Sequence, residues 1–347
     1  MDKKSNIKSP SVVVSLIPLA TLVIFLALTI KLFGGDAIAG GSQLSLLAAT
    51  AVCTAIAIGV YRRKWNELED AIVRNMKSAT PALLILLLIG MIAGTWMASG
   101  IIPALIYYGL KILHPSIFLP ASCVICSIVS LLTGSSWTTI ATIGVALMGI
   151  GRAQGFDDGW IAGAIISGAY FGDKISMMSD TTVLASSTAG VPLFTHIKYM
   201  LITTIPSLVI ALVAFSIAGM SATTDVAMNT VEIENAIQNV FNISPWLLIV
   251  PVLTGLLIAK RLPAIVTLFA SAVMAAIAMI IAQPDIIPQI AGDGLNPTMA
   301  ALKAVIITST TDCAIPTGNA LLDDLVATSG MGGMMNTIWL ITCAMCF

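Results

Sequence analysis

Apolar residues run along this chain in stretches longer than the core of a soluble domain uses. Runs near 12–33, 37–60, 81–98, 116–133, 199–219, 244–260 and 263–282 are each long enough, as helices, to cross about 30 Å of hydrocarbon. Shorter or interrupted runs lie at 101–113, 138–151, 159–171 and 182–191, around a polar stretch, GDKISMMSDTTVLASS, at 172–187. Non-helical backbone at membrane depth is tolerated only where protein or a water-filled cavity covers it. The short pieces therefore predict broken or re-entrant helices, and they leave the topology within 99–197 open.

Composition agrees with that pattern. Of 347 residues, 58% are hydrophobic and 10% charged, against about 25% charged in soluble domains, and the mean hydropathy is +1.00. The reading is an all-α polytopic membrane protein. Net charge is −1 and no basic block occurs, so no nucleic-acid partner is expected; the partner is the lipid bilayer. Cys123 with Cys126 and Cys343 with Cys346 show C-x-x-C spacing, but both pairs sit in apolar runs without a neighbouring His or Asp, and with Cys53 and Cys313 they read as packing residues. His114 and His196 stand alone and read as solvated or interfacial. Lys3, Lys4 and Lys8 precede the first apolar run, which exceeds the roughly 7–15 residues of a signal peptide and reads as a retained span.

Orientation follows from basic residues, which collect at cytoplasmic ends of spans. Lys3, Lys4 and Lys8 place the N-terminus inside; Arg62, Arg63, Lys64, Arg74 and Lys77, then Lys198, then Lys260 and Arg261 mark later cytoplasmic ends. The loop 220–243 carries Asp225, Glu232 and Glu234 without Lys or Arg, which suits the outside.

A weak internal repeat also emerges. Asn66, Leu68, Asp70, Ile72 and Val73 recur as Asn319, Leu321, Asp323, Leu325 and Val326, an offset of 253. Matches this short arise by chance in apolar chains, but the two copies sit on opposite expected sides of the membrane, as in inverted-repeat transporters. On this reading a single transporter domain spans 1–347, with a first repeat over about 66–219 and a second that begins near 319 and is cut off at 347. The last apolar run, from Ile338 to Phe347, is about half a span, so a truncation on the order of a hundred residues is expected.

Within 172–187, Asp173, Lys174 and Asp180 would each cost about 2.5–3.5 kcal/mol at the centre of an isolated inserting helix. Such residues face a bundle interior or aqueous cavity and mark ion or proton pathways. On an unbroken helix the two carboxylates would lie about 10 Å apart along the axis, so they share one ion only if the helix is interrupted, for which Ser176 to Ser179 is the expected place. Hard cations take oxygen ligands, here Asp180 and Asp173 with the hydroxyls of Ser176, Ser179, Thr181 and Thr182. Asp180 ranks first, because apolar sequence follows it, and Na+ is placed at Asp180. Asp173 and Lys174 also read as a charge pair that simply ends the span 159–171.

A second polar cluster, Thr133-Gly-Ser135-Ser136-Trp-Thr138-Thr139, reads either as an ordinary glycine turn between spans or as a re-entrant tip opposite Asp180. A third, Thr308 to Asp312, reads as an exposed loop.

The stretches LLIGMIAGTWMASGIIPALIYYG (87–109), TGSSWTTIATIGVALMGIG (133–151) and AYFGDKISMMSDTTVLAS (169–186) together resemble the NhaC family of sodium/proton antiporters, in the ion-transporter superfamily, from about residue 10 to the end. The resemblance implies an inner-membrane antiporter that exchanges cytoplasmic sodium for external protons, with inverted repeats and helical hairpins. It also implies ion-handling roles for Asp173, Ser176, Ser179, Asp180, Thr181 and Thr182, with Ser135 and Ser136 from the other motif. Two departures stand out. Family members commonly have a proline after Ile-Ser, where this chain has Met177, and they usually continue for another hundred or so residues.

The function expected is exchange of Na+ for H+ across the cytoplasmic membrane, with no enzyme activity and no cofactor beyond the transported ions. Asp180 would bind either ion in alternating access, its pKa raised by burial. An organic-acid antiporter, of the kind that exchanges malate and protons for lactate and sodium, is the nearest alternative; Lys174 would be its charge partner. A non-transporting fragment is another. An intramembrane aspartyl protease would bring two aspartates face to face, usually from separate helices, whereas both lie here in one segment. A homodimer is the candidate assembly.

Overall fold

The computed structural model describes residues 11–177, 179–221, 226–260, 262–292, 294–317, 323 and 326–347. They form two compact units, one of residues up to Leu87 together with Met334–Phe347, the other Leu88–Gly333.

In the first unit, α1 (Val12–Phe33) is followed by a short 3-10 turn, α2 (Gly41–Gly59) and the first two-thirds of α3 (Trp65–Ala98). The last helix, α16 (Met335–Cys346), packs on α2. Ser11 caps α1, its hydroxyl accepting from the Val14 N–H at 3.4 Å. Thr29 and Ser45 hydroxyls bond at 2.9 Å between α1 and α2, a polar contact that holds helices together where lipid provides no hydrophobic drive. The segment 66–73 and the run 81–98 form one helix of 34 residues, roughly 50 Å long.

The second unit continues from the end of α3 through α4 (Ile101–Ile112), α5 (Pro115–Thr133), α6 (Ser136–Thr139), a π-helical turn (Ile140–Gly144), α7 (Val145–Ala153), α8 (Asp158–Ile175), α9 (Asp180–Thr188) and α10 (Leu193–Ser221). It ends with α11 (Val226–Val240), α12 (Ile249–Ala259), α13 (Ala264–Ala282), α14 (Ile286–Ala291) and α15 (Pro297–Thr310). Local chemistry explains the boundaries nearest the polar motifs. α5 opens with Pro115 at its first position and stops at Gly134, which is left-handed at φ 67°, a conformation glycine adopts without penalty. Asp157 caps α8, accepting from the Gly159 N–H at 2.8 Å.

Among the described residues six helices are long and apolar enough to cross a membrane: Val12–Ala39, Gly41–Gly59, Trp65–Ala98, Pro115–Thr133, Leu193–Met220 and Ala264–Ala282. The protein is thus an all-α, multi-pass membrane protein, and six of the seven expected spans stand. The seventh, 244–260, needs correction. It is a short 3-10 turn (Pro245–Leu248) running into α12, joined to Ile233–Val240 at 92°. Gln283, 2% exposed, holds that corner open. Its Oε1 accepts from the Asn242 N–H at 3.0 Å, and its Nε2 donates to the Asn242 carbonyl at 3.1 Å and the Ser99 carbonyl at 3.4 Å. One side-chain amide thereby pairs the backbone that the bend would otherwise strand in an apolar setting.

The cluster Thr308 to Asp312 is also not a simple exposed loop. Thr308 and Ser309 are buried in the last turn of α15, and only Thr311 and Asp312 are exposed. The chain then runs extended, with Cys313 pairing antiparallel to Thr328. The sequence copy at 319–326 falls largely outside the described residues.

Candidate functional site

The site is built on the α5–α8 pair, and two glycines set it. Gly168 and Gly172 lie one turn apart on α8. A methyl group on Gly168 would come 2.1 Å from the Cys123 carbonyl oxygen, and one on Gly172 would come 2.3 Å from the Ser127 carbonyl oxygen and 2.5 Å from the Leu131 nitrogen. Only glycine permits this, so the two backbones meet directly, the small-residue packing that membrane helices favour. Side chains then bond across the seam: the Ser130 hydroxyl donates to the Ala169 carbonyl at 2.5 Å, and the Ser176 hydroxyl donates to the Leu131 carbonyl at 2.8 Å.

Just past the seam both helices are interrupted, side by side. After Gly134 turns the chain, Ser135 caps α6; its hydroxyl accepts from the Thr138 N–H at 3.2 Å and pairs with the Thr138 hydroxyl at 3.0 Å. Ser136, 3% exposed, points the other way and donates to the Asp173 carboxylate at 2.8 Å. The 133–139 motif is thus a glycine turn that also delivers a hydroxyl to a carboxylate, and the partner described for it is Asp173. Ser135 serves its own helix.

α8 stops at Ile175, Ser176 is extended (φ −74°, ψ 132°), and α9 starts at Asp180, so the interruption expected at 176–179 is present. Met177 in place of proline does not prevent it, because hydroxyls take over the freed backbone. The Asp173 carbonyl accepts from the Ser176 N–H at 3.1 Å. Thr182, buried on α9, donates to the Lys174 carbonyl at 3.1 Å and the Asp173 carbonyl at 3.4 Å. Ser179, 1% exposed, caps α9, accepting from the Thr182 N–H at 3.5 Å and pairing with the Thr181 hydroxyl at 2.8 Å. A buried polar group without a partner is costly, and these contacts remove that cost.

Of the residues singled out in the sequence, Asp173, Ser136, Ser176, Ser179 and Thr182 gather around the paired interruptions, while Thr181 is exposed beside them. Asp180 begins α9, but its side chain lies outside the described residues. Lys174 is exposed and faces α10 instead. Sequence reasoning missed the glycine seam, although Gly168-x-x-x-Gly172 is a readable packing motif. It also missed the π-helical turn after the serines, where Thr139 donates to the Ser135 carbonyl at 3.0 Å and Thr142 to the Thr138 carbonyl at 2.7 Å. Such turns recur at functional sites; the threonines at 138, 139 and 142 were its only trace.

The arrangement offers a carboxylate, several hydroxyls and helix-end carbonyls, an all-oxygen set suited to a hard cation. A sequence model of the Na+/H+ antiporter family matches residues 1–169 and again 168–347. The chain belongs to this family. Among its relatives, the Malate-2H(+)/Na(+)-lactate antiporter of Bacillus subtilis is 38% identical over 80% of this chain and 56% of its own length. The Na(+)/H(+) antiporter NhaC of Alkalihalophilus pseudofirmus is 37% identical over 85% of this chain and 61% of its own. The arginine/ornithine antiporter ArcD of Halobacterium salinarum is 34% identical over 96% of this chain and 65% of its own. The chain thus spans about three-fifths of the length of these antiporters. No solved structure matches it.

Proposed function

We propose that this Na+/H+ antiporter family member exchanges Na+ for H+ across the cytoplasmic membrane at the paired interruptions of α5–α6 and α8–α9. The observation that carries the reading is the 2.8 Å contact from the Ser136 hydroxyl to the Asp173 carboxylate, made where two helices break beside each other. Interrupted helices at the midplane are where secondary transporters bind coupling ions. A carboxylate that binds either H+ or Na+ makes the two compete, and competition for one group couples the two gradients. Asp173 supplies that carboxylate, Asp180 stands at the head of α9 as the second, and Ser136, Ser176, Ser179 and Thr182 supply oxygen and hold the break.

The test is sodium-driven proton movement in everted vesicles. Asp173→Asn and Asp180→Asn are each expected to abolish it, and exchange retained by both variants contradicts the reading. The similarity to an antiporter named for malate with lactate, protons and sodium supports a second reading, in which an organic anion moves with these ions.

A further inference from the structure

Asp173 and Lys174 are consecutive on a helix, about 100° apart around its axis, and they serve different places. Asp173 meets Ser136, whereas Lys174 lines a cleft of about 280 Å³ between α8 and α10, with Ser167, Tyr170 and Phe171 on its own helix and Ser207 and Leu208 opposite. We propose that this cleft binds a small organic carboxylate, with the Lys174 ammonium as its counter-ion. The proposal rests on the second of the two readings above and is independent of where the cation sits.

Four observations carry it. Lys174 forms no ion pair among the described residues, whose ion pairs are Arg63–Glu67 and Arg152–Asp158. It is not needed to cap α8 either, because Ser176 and Thr182 already bond the Asp173 and Lys174 carbonyls. An uncommitted ammonium at membrane depth marks a substrate or ion path. The cleft's chemistry is also that of a carboxylate site: a cation and the hydroxyls of Ser167 and Tyr170 around an apolar floor of Phe171 and Leu208, with the Ser207 hydroxyl donating to the Thr203 carbonyl of its own helix at 2.9 Å. Its size lies below the roughly 300–1,000 Å³ of sites for drug-sized ligands, which suits a metabolite-sized acid.

Depth selects among anions. Ser207 falls at the middle of the span Leu193–Met220, about 15 Å from either interface of the hydrocarbon. A lipid headgroup stays at that interface, so a soluble carboxylate admitted during alternating access is the better fit.

The experiment measures binding of radiolabelled L-malate to the detergent-purified full chain, with 22Na+ binding measured in parallel. Lys174→Gln is expected to weaken malate binding about tenfold or more, the loss of one charge-assisted hydrogen bond, and Lys174→Arg to restore part of it. Ser207→Leu, which fills the cleft from the opposite helix, is expected to weaken malate binding similarly with sodium binding intact. Unchanged malate affinity in Lys174→Gln and Ser207→Leu overturns the proposal. So does absence of malate binding while sodium binds, or displacement of malate only by phosphatidylglycerol. Loss of sodium binding in Asp173→Asn with malate binding retained supports a cation site and a separate anion cleft, whereas sodium binding of wild-type strength in Asp173→Asn, with malate binding lost in Lys174→Gln, counts against the cation reading alone.

Discussion

Two helices end inside this protein by the same mechanical device and do different chemistry with it. At α8, Gly168 and Gly172 let the α5 backbone come into contact just before the helix breaks. At α15, the glycines are on the other partner. A methyl on Gly90 of α3 would come 2.2 Å from the Gly330 carbonyl oxygen, and one on Gly94 would come 1.8 Å from the Thr308 carbonyl oxygen, again just before the helix gives way to extended chain. Both seams are glycines four residues apart that admit backbone contact: Gly168 and Gly172 both meet α5, whereas Gly94 meets the last turn of α15 and Gly90 meets Gly330 in the chain beyond it. The first seam delivers a half-buried carboxylate to a buried hydroxyl, Asp173 to Ser136. The second leaves Asp312 exposed and the buried Ser309 hydroxyl without a hydrogen-bond partner among the described residues. The difference teaches that glycine packing brings the backbones together beside each helix end, and that the two ends differ in the groups aimed across them, which is where the proposed ion site is distinguished from the second.

The largest effect is expected where the shared device is removed. Gly172→Ala and Gly94→Ala each force a methyl into a facing backbone carbonyl, and overpacking of this kind costs about 1–3 kcal/mol or more. Thermal unfolding in detergent should show both destabilised to a similar degree. Wild-type stability in either variant would mean that its seam is not in contact.

Thr182→Val separates the two breaks. It keeps the shape of the side chain but strips the hydroxyl from the Lys174 carbonyl, while the Asp173 carbonyl keeps the Ser176 N–H, an expected loss of about 1–3 kcal/mol for one acceptor left unpaired. Loss of sodium affinity should accompany it, because that carbonyl then reorients beside Asp173. Unchanged stability and affinity would show that hydroxyl capping does not hold the proline-free break.

How much of this was legible in the sequence follows from what each feature depends on. Span lengths were readable because hydrophobic run length answers directly to bilayer thickness, and six of seven stood. The break at 176–179 was readable too, since two carboxylates and a row of hydroxyls make no sense against lipid. The corner at 241–244 was not, because Gln283, from 41 residues away, bonds Asn242 on both sides, and nothing local announces it. Thr308 and Ser309 were misjudged for a related reason: their burial comes from the α3 glycine face some 215 residues earlier in the chain. Within the site, the pairing of Ser136 rather than Ser135 with Asp173 turns on a cap. Ser135 spends its hydroxyl on Thr138, and that leaves its neighbour facing the carboxylate.

Ser309→Ala sharpens the comparison from the quiet side. Removing a buried, unpartnered hydroxyl is expected to be neutral or mildly stabilising and to leave sodium affinity as it was. A marked loss of sodium affinity would make the second break an ion site like the first.

The smallest effect is a pH dependence near the second break. The Thr317 hydroxyl and N–H both donate to Asp323 at 2.7 Å and hold its carboxyl below the usual carboxylate range. A depressed value means that its stabilising contribution is complete above the unfolded value of about 3.9 and is lost as pH falls through the lower folded value. Hydrogen exchange of the Thr317 amide should therefore quicken, after correction for its intrinsic rate, only below about pH 4; quickening near neutral pH would mean that another group controls this segment.

The central claim, one carboxylate shared by sodium and proton at the paired breaks, is tested most directly by 22Na+ binding to the purified full chain across a pH series. Wild-type affinity should weaken steadily as pH falls, because protons compete for Asp173, and Asp173→Asn should remove both the binding and its pH dependence. Sodium binding of wild-type strength and pH dependence in Asp173→Asn would contradict the account.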